Sequence, residues 1–212
     1  PPPSAPPPSA VPQISQGHVT FGSFNNLTKI TPEVVAVWCS ILHATPGSRM
    51  ILKSRPLTDA DVMRAYRDLF ESHDIAPDRV ELVGHTASIN EHLALYSRID
   101  VGLDPFPYNG VTTTCEALWM GVPVITLAGD RHAGRVGASI LTNLKLTDFI
   151  APDINSYIAT ALKMADAKDY LENLRHKMRK RMLSSSLCNG SSFADEIENI
   201  YRKIWTESQT FT

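Results

Sequence analysis

An α/β fold, a parallel sheet with flanking helices, is what the sequence predicts. From His18 onward, short β-branched runs alternate with longer segments of helical periodicity, the pattern of parallel strands joined by crossover helices. The chain is 212 residues long and 43% hydrophobic, enough to bury one core and not two. Internal repeats are absent from the sequence, which excludes a solenoid.

Residues 1–17 open with PPPSAPPPSAVPQIS, a Pro/Ser/Ala tract expected to be an extended, semi-rigid linker. It has no initiator Met, so the chain is expected to be part of a longer one. Residues 18–190 are assigned to one lobe. Its strands are expected at HVTFGSF, SRMILKS, RVELVG, VGLDPF and PVITLAG. Thr31, Pro32 and Glu33 supply an N-cap, a first-turn proline and a first-turn acid for a helix through VVAVWCSIL, which the TPG at 45–47 ends. A second helix is expected over TDADVMRAYRDLFESH, where Val62, Ala65, Tyr66 and Leu69 share one face. A third covers INEHLALYSRI. After PVITLAG the sequence predicts only helices, at RVGASILTNL, NSYIATALKMA, LENLRHKMRKRML and FADEIENIYRKIWTE. The last, in residues 191–212, carries an apolar stripe of Phe193, Ile197, Ile200, Tyr201 and Ile204, to be covered by this lobe or by a missing N-terminal neighbour.

Composition narrows the function. A formal net charge of −2, with Lys and Arg scattered through both halves, gives no basic stripe for nucleic acid. Cys39, Cys115 and Cys188 are odd in number and lack metal-ligand spacing, so neither a disulfide framework nor a zinc site is expected, and no metal is assigned. With no membrane-length apolar run and no signal pattern, the chain is expected to be soluble, cytoplasmic and not membrane-bound.

The most informative segment is LDPFPYNGVTTTCEALWMGVPVITLAG, residues 103–129, which predicts a strand end, a turn, a helix, a glycine stop and a further strand. Asn109-Gly110 is expected to form a turn with positive φ, and Thr112, Thr113 and Thr114 to open the helix. A helix starting at the carboxyl end of a parallel strand aims unpaired N–H groups into the crevice where such sheets bind ligands. Three threonine hydroxyls at that point suit the oxygens of a diphosphate. Glu116, one turn after Thr112, lies on the same helical face, where a carboxylate can accept two ribose hydroxyls. Ordinary capping by a threonine and dipole pairing by a first-turn acid are the plainer alternatives.

The segment FGSFNNLTKITPE places Asn25, Asn26 and Lys29 at the carboxyl edge of the first strand, within reach of a phosphate, with Lys29 stabilising charge on a departing nucleoside diphosphate. Turn formation by the asparagines and solvation of the lysine are the alternatives there. His92 falls at the same edge, suited to a nucleobase or a hydroxyl, or to simple half-burial. His132 follows the fifth strand and is a weaker candidate. No GxGxxG, Walker loop, GxSxG or HExxH occurs, which removes support from dehydrogenase, NTPase, hydrolase and zinc-protease readings.

FGSFNNLTKITPEVVAVW, LDPFPYNGVTTTCEALWMGVPVITLAGDRHAGRVG and CNGSSFADEIENIYRKIW resemble the C-terminal catalytic lobe of the Spindly and O-GlcNAc-transferase family, including its bacterial tetratricopeptide-repeat members. The resemblance implies the Rossmann-like C-terminal lobe of a GT-B glycosyltransferase. It also implies an inverting mechanism without metal or cofactor, and a protein acceptor presented by upstream repeats. It assigns Lys29 to the donor diphosphate and catalysis, Asn26 to a neighbouring amide position, Thr112 and Thr113 to the diphosphate helix, Glu116 to ribose and His92 to the base. Val111, Ile89 and Glu116 replace a histidine, a lysine and an aspartate of O-GlcNAc transferases. TTTCE with FNNLTKI is closer to plant Spindly, whose members transfer fucose from GDP-fucose, so both GDP-fucose and UDP-GlcNAc are carried as donors. Catalytic contacts for the acceptor are expected in the preceding lobe, which leaves this piece inactive alone. A non-catalytic nucleotide-sugar sensor or scaffold is the rival from another class.

Overall fold

The computed structural model describes residues 4–209, so residues 1–3 of the expected linker and 210–212 of the expected terminal helix lie outside it. At its centre is a six-stranded sheet: β1 (Thr20–Ser23), β2 (Arg49–Lys53), β3 (Val80–Val83), β4 (Val101–Leu103), β5 (Val124–Leu127) and β6 (Ile150–Ala151). The order is β3-β2-β1-β4-β5-β6, and every neighbouring pair is parallel. All five expected strands are present. The sixth corrects the expectation that strands end at PVITLAG.

Helices flank the sheet: α1 (Pro12–Gln16), α2 (Pro32–Ala44), α3 (Ala60–Glu71), α4 (Ile89–Ala94), α5 (Thr112–Trp119), α6 (Val136–Asn143), α7 (Ile154–Ala165), α8 (Lys168–Leu183) and α9 (Gly190–Gln209). Thr31 caps α2 as expected, its hydroxyl accepting from the Val34 N–H, with Pro32 in the first turn. Trp38, Ile41 and Leu42 of α2 are fully buried, and Val62, Tyr66 and Leu69 turn the apolar face of α3 onto the same core. Gly121, at φ 85°, ends α5 with the Val122 N–H returning to the Ala117 carbonyl. These short connections fix where β4 delivers its loop.

The proline tract is a docked strap rather than a free spacer. Residues 5–10 lack regular structure, as their composition dictates, yet Val11 is only 1% exposed and Pro12–Gln16 forms a helical turn. The Val11 N–H donates to Glu172 of α8, and the Gln13 N–H donates to Asp100 beside β4. Arg175 of α8, fully buried, donates to the carbonyls of Ser9, Ile99 and Tyr96 and to the Ser9 hydroxyl. Proline-rich backbone has unused carbonyls, and guanidinium groups are well shaped to collect them.

Among the described residues, the lobe covers little of the terminal helix. None of the α9 side chains is buried, with Phe193 at 63% and Trp205 at 68% exposure. Of the apolar stripe, Ile197 is half-buried, while Phe193, Ile200, Tyr201 and Ile204 are exposed. Among the described residues, no helix is long and apolar enough to cross a membrane.

Candidate functional site

The sheet order reverses between β1 and β4, which lie side by side with Phe21 opposite Val101 and Gly22 opposite Gly102. In open parallel sheets, the crevice beyond the carboxyl ends of two such strands is the natural ligand site, because the loops leaving them diverge to opposite faces. Here one loop carries Asn25, Asn26 and Lys29, and the other carries residues 104–111 into α5.

Val111 occupies the N-cap of α5 and makes no side-chain capping bond. The first intrahelical bond is from the Cys115 N–H to the Val111 carbonyl, so the amides of Thr112, Thr113 and Thr114 precede the ladder and point toward the helix start. With the positive end of the helix dipole, they make an anion-binding surface. The threonine side chains divide their work, against the expectation of three hydroxyls at one spot. Thr112 is exposed, and the Thr113 hydroxyl donates to Asn25 Oδ1 at 2.8 Å. Thr114 is buried, and its hydroxyl has no hydrogen-bond partner among the described residues.

Asn109-Gly110 departs from the expected positive-φ turn, since neither residue has positive φ. Gly110 is required by close approach instead. A Cβ there would lie 2.7 Å from each of Asn25 Oδ1, Thr113 Oγ1 and Thr114 Oγ1. Asn109, fully buried, holds the loop from inside: its N–H donates to the Ala133 carbonyl and its side-chain amide to the Pro105 carbonyl.

Lys29 completes the arrangement. It ends a short 3₁₀ turn, Leu27–Lys29, whose start is capped by the Asn26 side chain accepting from the Thr28 N–H. Its ammonium donates to the Asn109 carbonyl at 2.8 Å and stands 4.1 Å from the centre of the Tyr108 ring. Burial lowers its pKa, and the nearby Asp104 carboxylate opposes that shift. Asn26 is exposed and has its carbonyl oxygen committed to the turn; no hydrogen bond joins it to the α5 start among the described residues.

His92 and Glu116 meet directly, Nε2 to Oε2 at 3.0 Å, both half-buried. The imidazole is held by Phe24 and Tyr96, ring centres 5.8 and 5.6 Å away, and its Nδ1 is buried without a partner. The contact fixes the Glu116 carboxylate against the His92 ring. His132 sits in the turn His132–Gly134, exposed, away from this pair. Ile89 and Val111 are also exposed.

Sequence reasoning missed four participants. Tyr108 lies over Lys29, and the Tyr96 hydroxyl donates to the Thr113 carbonyl. Lys53 stands half-buried at the carboxyl end of β2, its pKa lowered by burial against an opposing pull from Glu116. Asp104 is fully buried beneath the loop, and burial raises its pKa to about 7 against the bonds from Gly110 and Thr126 and the Lys29 charge. An acid closing an apolar strand was the available signal for Asp104. At the opposite edge of the sheet a cavity of about 380 Å³ is lined by Arg49, Arg79 and Arg98, but Arg79 is committed to Leu42 and Ser48 carbonyls and Arg98 to Glu81.

A family model described as glycosyl transferase family 41 matches residues 10–197. The chain belongs to glycosyl transferase family 41. Its family 41 relatives include a probable UDP-N-acetylglucosamine–peptide N-acetylglucosaminyltransferase SPINDLY of Solanum lycopersicum, 43% identical over 205 residues, which cover 97% of this chain and 22% of that protein. The Arabidopsis thaliana protein of the same description is 42% identical over the same coverage. A Thermobaculum terrenum O-GlcNAc transferase mutant superimposes with a TM-score of 0.91 at 37% identity, over all of this chain and 40% of that one. A sucrose-phosphate synthase from Thermosynechococcus elongatus, at 18% identity and a TM-score of 0.63 over 95% of this chain and 50% of that one, shares the fold. This family 41 chain is thus a Rossmann-like lobe matching the C-terminal lobe of a GT-B glycosyltransferase, and it spans 22% of the curated plant relatives it matches.

Proposed function

We propose that this chain is the donor-binding half of an inverting, metal-independent protein O-glycosyltransferase that moves fucose or N-acetylglucosamine from a nucleotide sugar to Ser or Thr of a protein. The observation that carries the reading is the Lys29 bond to the Asn109 carbonyl, which holds an ammonium at the uncapped start of α5. Diphosphate oxygens seated on the Thr112 and Thr113 amides face that ammonium. As the glycosidic bond to the leaving phosphate breaks, the charge growing on the diphosphate is met by Lys29 and the helix dipole, which is the role a metal fills elsewhere. Asn25 keeps Thr113 in place, and Glu116, oriented by His92, is positioned to accept ribose hydroxyls. Glu116 lies one turn along α5 from Thr112, a spacing that suits a ribose next to its diphosphate.

The lobe supplies no group placed to deprotonate an acceptor hydroxyl among the described residues of this crevice. That group, and the contacts to the acceptor protein, are assigned to the preceding lobe and to upstream repeats. The length of the relatives supports this assignment. So does α9, whose uncovered apolar stripe is suited to that lobe. The isolated chain is then inactive in transfer, and the activity resides in a cytoplasmic full-length enzyme.

The base of the donor is decided by calorimetric titration of the full-length protein with GDP and UDP. The printed descriptions of the relatives support UDP-N-acetylglucosamine. Glu116, Val111 and Ile89 support GDP-fucose through the Spindly resemblance. A preference of about tenfold or more, 1.4 kcal/mol, for either nucleotide assigns the donor. Absence of binding by both removes the reading.

A further inference from the structure

The buried carboxylate of Asp104 lies directly behind the surface that, on the reading above, receives a diphosphate. Its Oδ1 accepts the Gly110 N–H at 2.7 Å, and Oδ2 accepts the Thr126 hydroxyl at 2.7 Å. Gly137 of α6 closes over it: a Cβ there would fall 2.6 Å from Oδ2. No water-accessible face is left on the side chain, which is 0% exposed. The first bond gives the Asp a positioning task, since Gly110 can lie against Asn25, Thr113 and Thr114 only when its backbone is held down. An asparagine would keep that bond, because its carbonyl oxygen also accepts from Gly110, while its amide would meet Thr126 as a donor and the Thr126 hydroxyl would lose its Asp104 acceptor. The negative charge therefore needs a separate explanation.

We propose that Asp104 is a counter-charge built beneath the diphosphate site, which limits how tightly the site holds the nucleoside diphosphate and takes up a proton from solvent when the donor binds. The proposal rests on the nucleotide-sugar reading. Among the described residues, the charged and titratable groups facing Asp104 are the Lys29 ammonium from the β1 side and the Tyr157 phenol of α7, which donates to the Asp104 backbone carbonyl; β5 contributes the Thr126 hydroxyl, and α6 contributes Gly137. In the free site the Lys29 ammonium offsets the Asp104 charge. A diphosphate brings two negative charges to the same ammonium, and the carboxylate left with a smaller share of it responds by binding a proton on one oxygen. A carboxyl that titrates near neutrality makes this exchange accessible. The free energy spent on protonating Asp104 when the ligand binds is recovered when it leaves, which weakens retention of the nucleoside diphosphate.

The test is calorimetry of the full-length protein with GDP-fucose and UDP-N-acetylglucosamine, whose phosphodiester oxygens do not titrate near neutrality, in buffers of different ionisation enthalpy at about pH 7.5. The expected result is uptake of up to one proton per ligand by the native protein. Asp104→Asn is expected to bind roughly tenfold more tightly, with that uptake lost. Equal or weaker binding by Asp104→Asn, or proton uptake that survives the substitution, overturns the counter-charge. Should the variant fail to fold, the native protein still decides: donor affinity that does not rise as pH falls from about 8 to about 6 overturns it. If native protein binds neither donor nor either nucleoside diphosphate, the nucleotide-sugar reading fails as well, whereas binding without the Asp104 effects overturns the counter-charge alone.

Discussion

Lys29→Ala lowers the transfer rate of the full-length enzyme by at least about 10²- to 10³-fold while leaving the fold almost as stable as before. The two halves of this expectation come from different contacts. For stability, the Lys29 ammonium makes a single hydrogen bond, to the Asn109 carbonyl, and one contact with the exposed Tyr108 ring. Losing these costs about 1 kcal/mol, partly offset because the half-buried ammonium no longer has to be desolvated. For transfer, the same ammonium is the one cationic side chain bonded to the loop at the start of α5, so nothing among the described residues replaces it as the diphosphate leaves. A steady-state kcat measured beside a thermal melt checks both. Turnover equal to that of the native enzyme contradicts the assignment of Lys29, and a collapsed melt would show that its role is structural.

The largest expected loss of stability is at Arg175, far from the site. Arg175→Met keeps most of the apolar volume of the side chain but takes the guanidinium donor from the buried Ile99 carbonyl, leaves the Tyr96 carbonyl with only the Ile99 N–H at 3.3 Å, and releases the strap at Ser9. The stranded Ile99 carbonyl costs about 1–3 kcal/mol, and the substitution also removes a buried charge that is partly paired with Asp100 and Glu172. The expected destabilisation is about 3–5 kcal/mol, read from the midpoint of urea unfolding. Burial lowers the guanidinium pKa to about 10, so it is charged at neutral pH and the substitution removes a full charge. A shift of less than about 1 kcal/mol would mean that the strap is held by Val11 and Pro12 rather than by this arginine.

The sequence disclosed the elements whose signals are local and concealed those whose reasons are distant. Five strands were legible because their β-branched runs are bounded by turns. β6, Ile150–Ala151, is too short to carry a period and exists only because β5 offers it an edge. The prolines predict an extended, semi-rigid linker, and residues 5–10 indeed lack regular structure. Its docking depends on Arg175 and Glu172, more than 160 residues away. Asn109-Gly110 illustrates the same limit: the dipeptide suggested a turn, while the actual demand on Gly110 comes from three oxygens on two other segments. The juxtaposition of the candidate residues is local enough to read, since the structure pairs Lys29 with Asn109, Asn25 with Thr113 and His92 with Glu116, and sets Gly110 against Asn25 and Thr113. Thr112 stands open at its mouth and Thr114 is sealed beneath it. Asp104 escaped notice because an acid after an apolar strand resembles an ordinary turn residue until the structure buries it.

The direct measurement of the central claim is a structure of the full-length protein with GDP or UDP bound. The diphosphate is expected on the Thr112 and Thr113 amides, with Lys29 Nζ within about 3 Å of one of its oxygens. A diphosphate bound away from the start of α5, or one that leaves Lys29 out of reach, would contradict it.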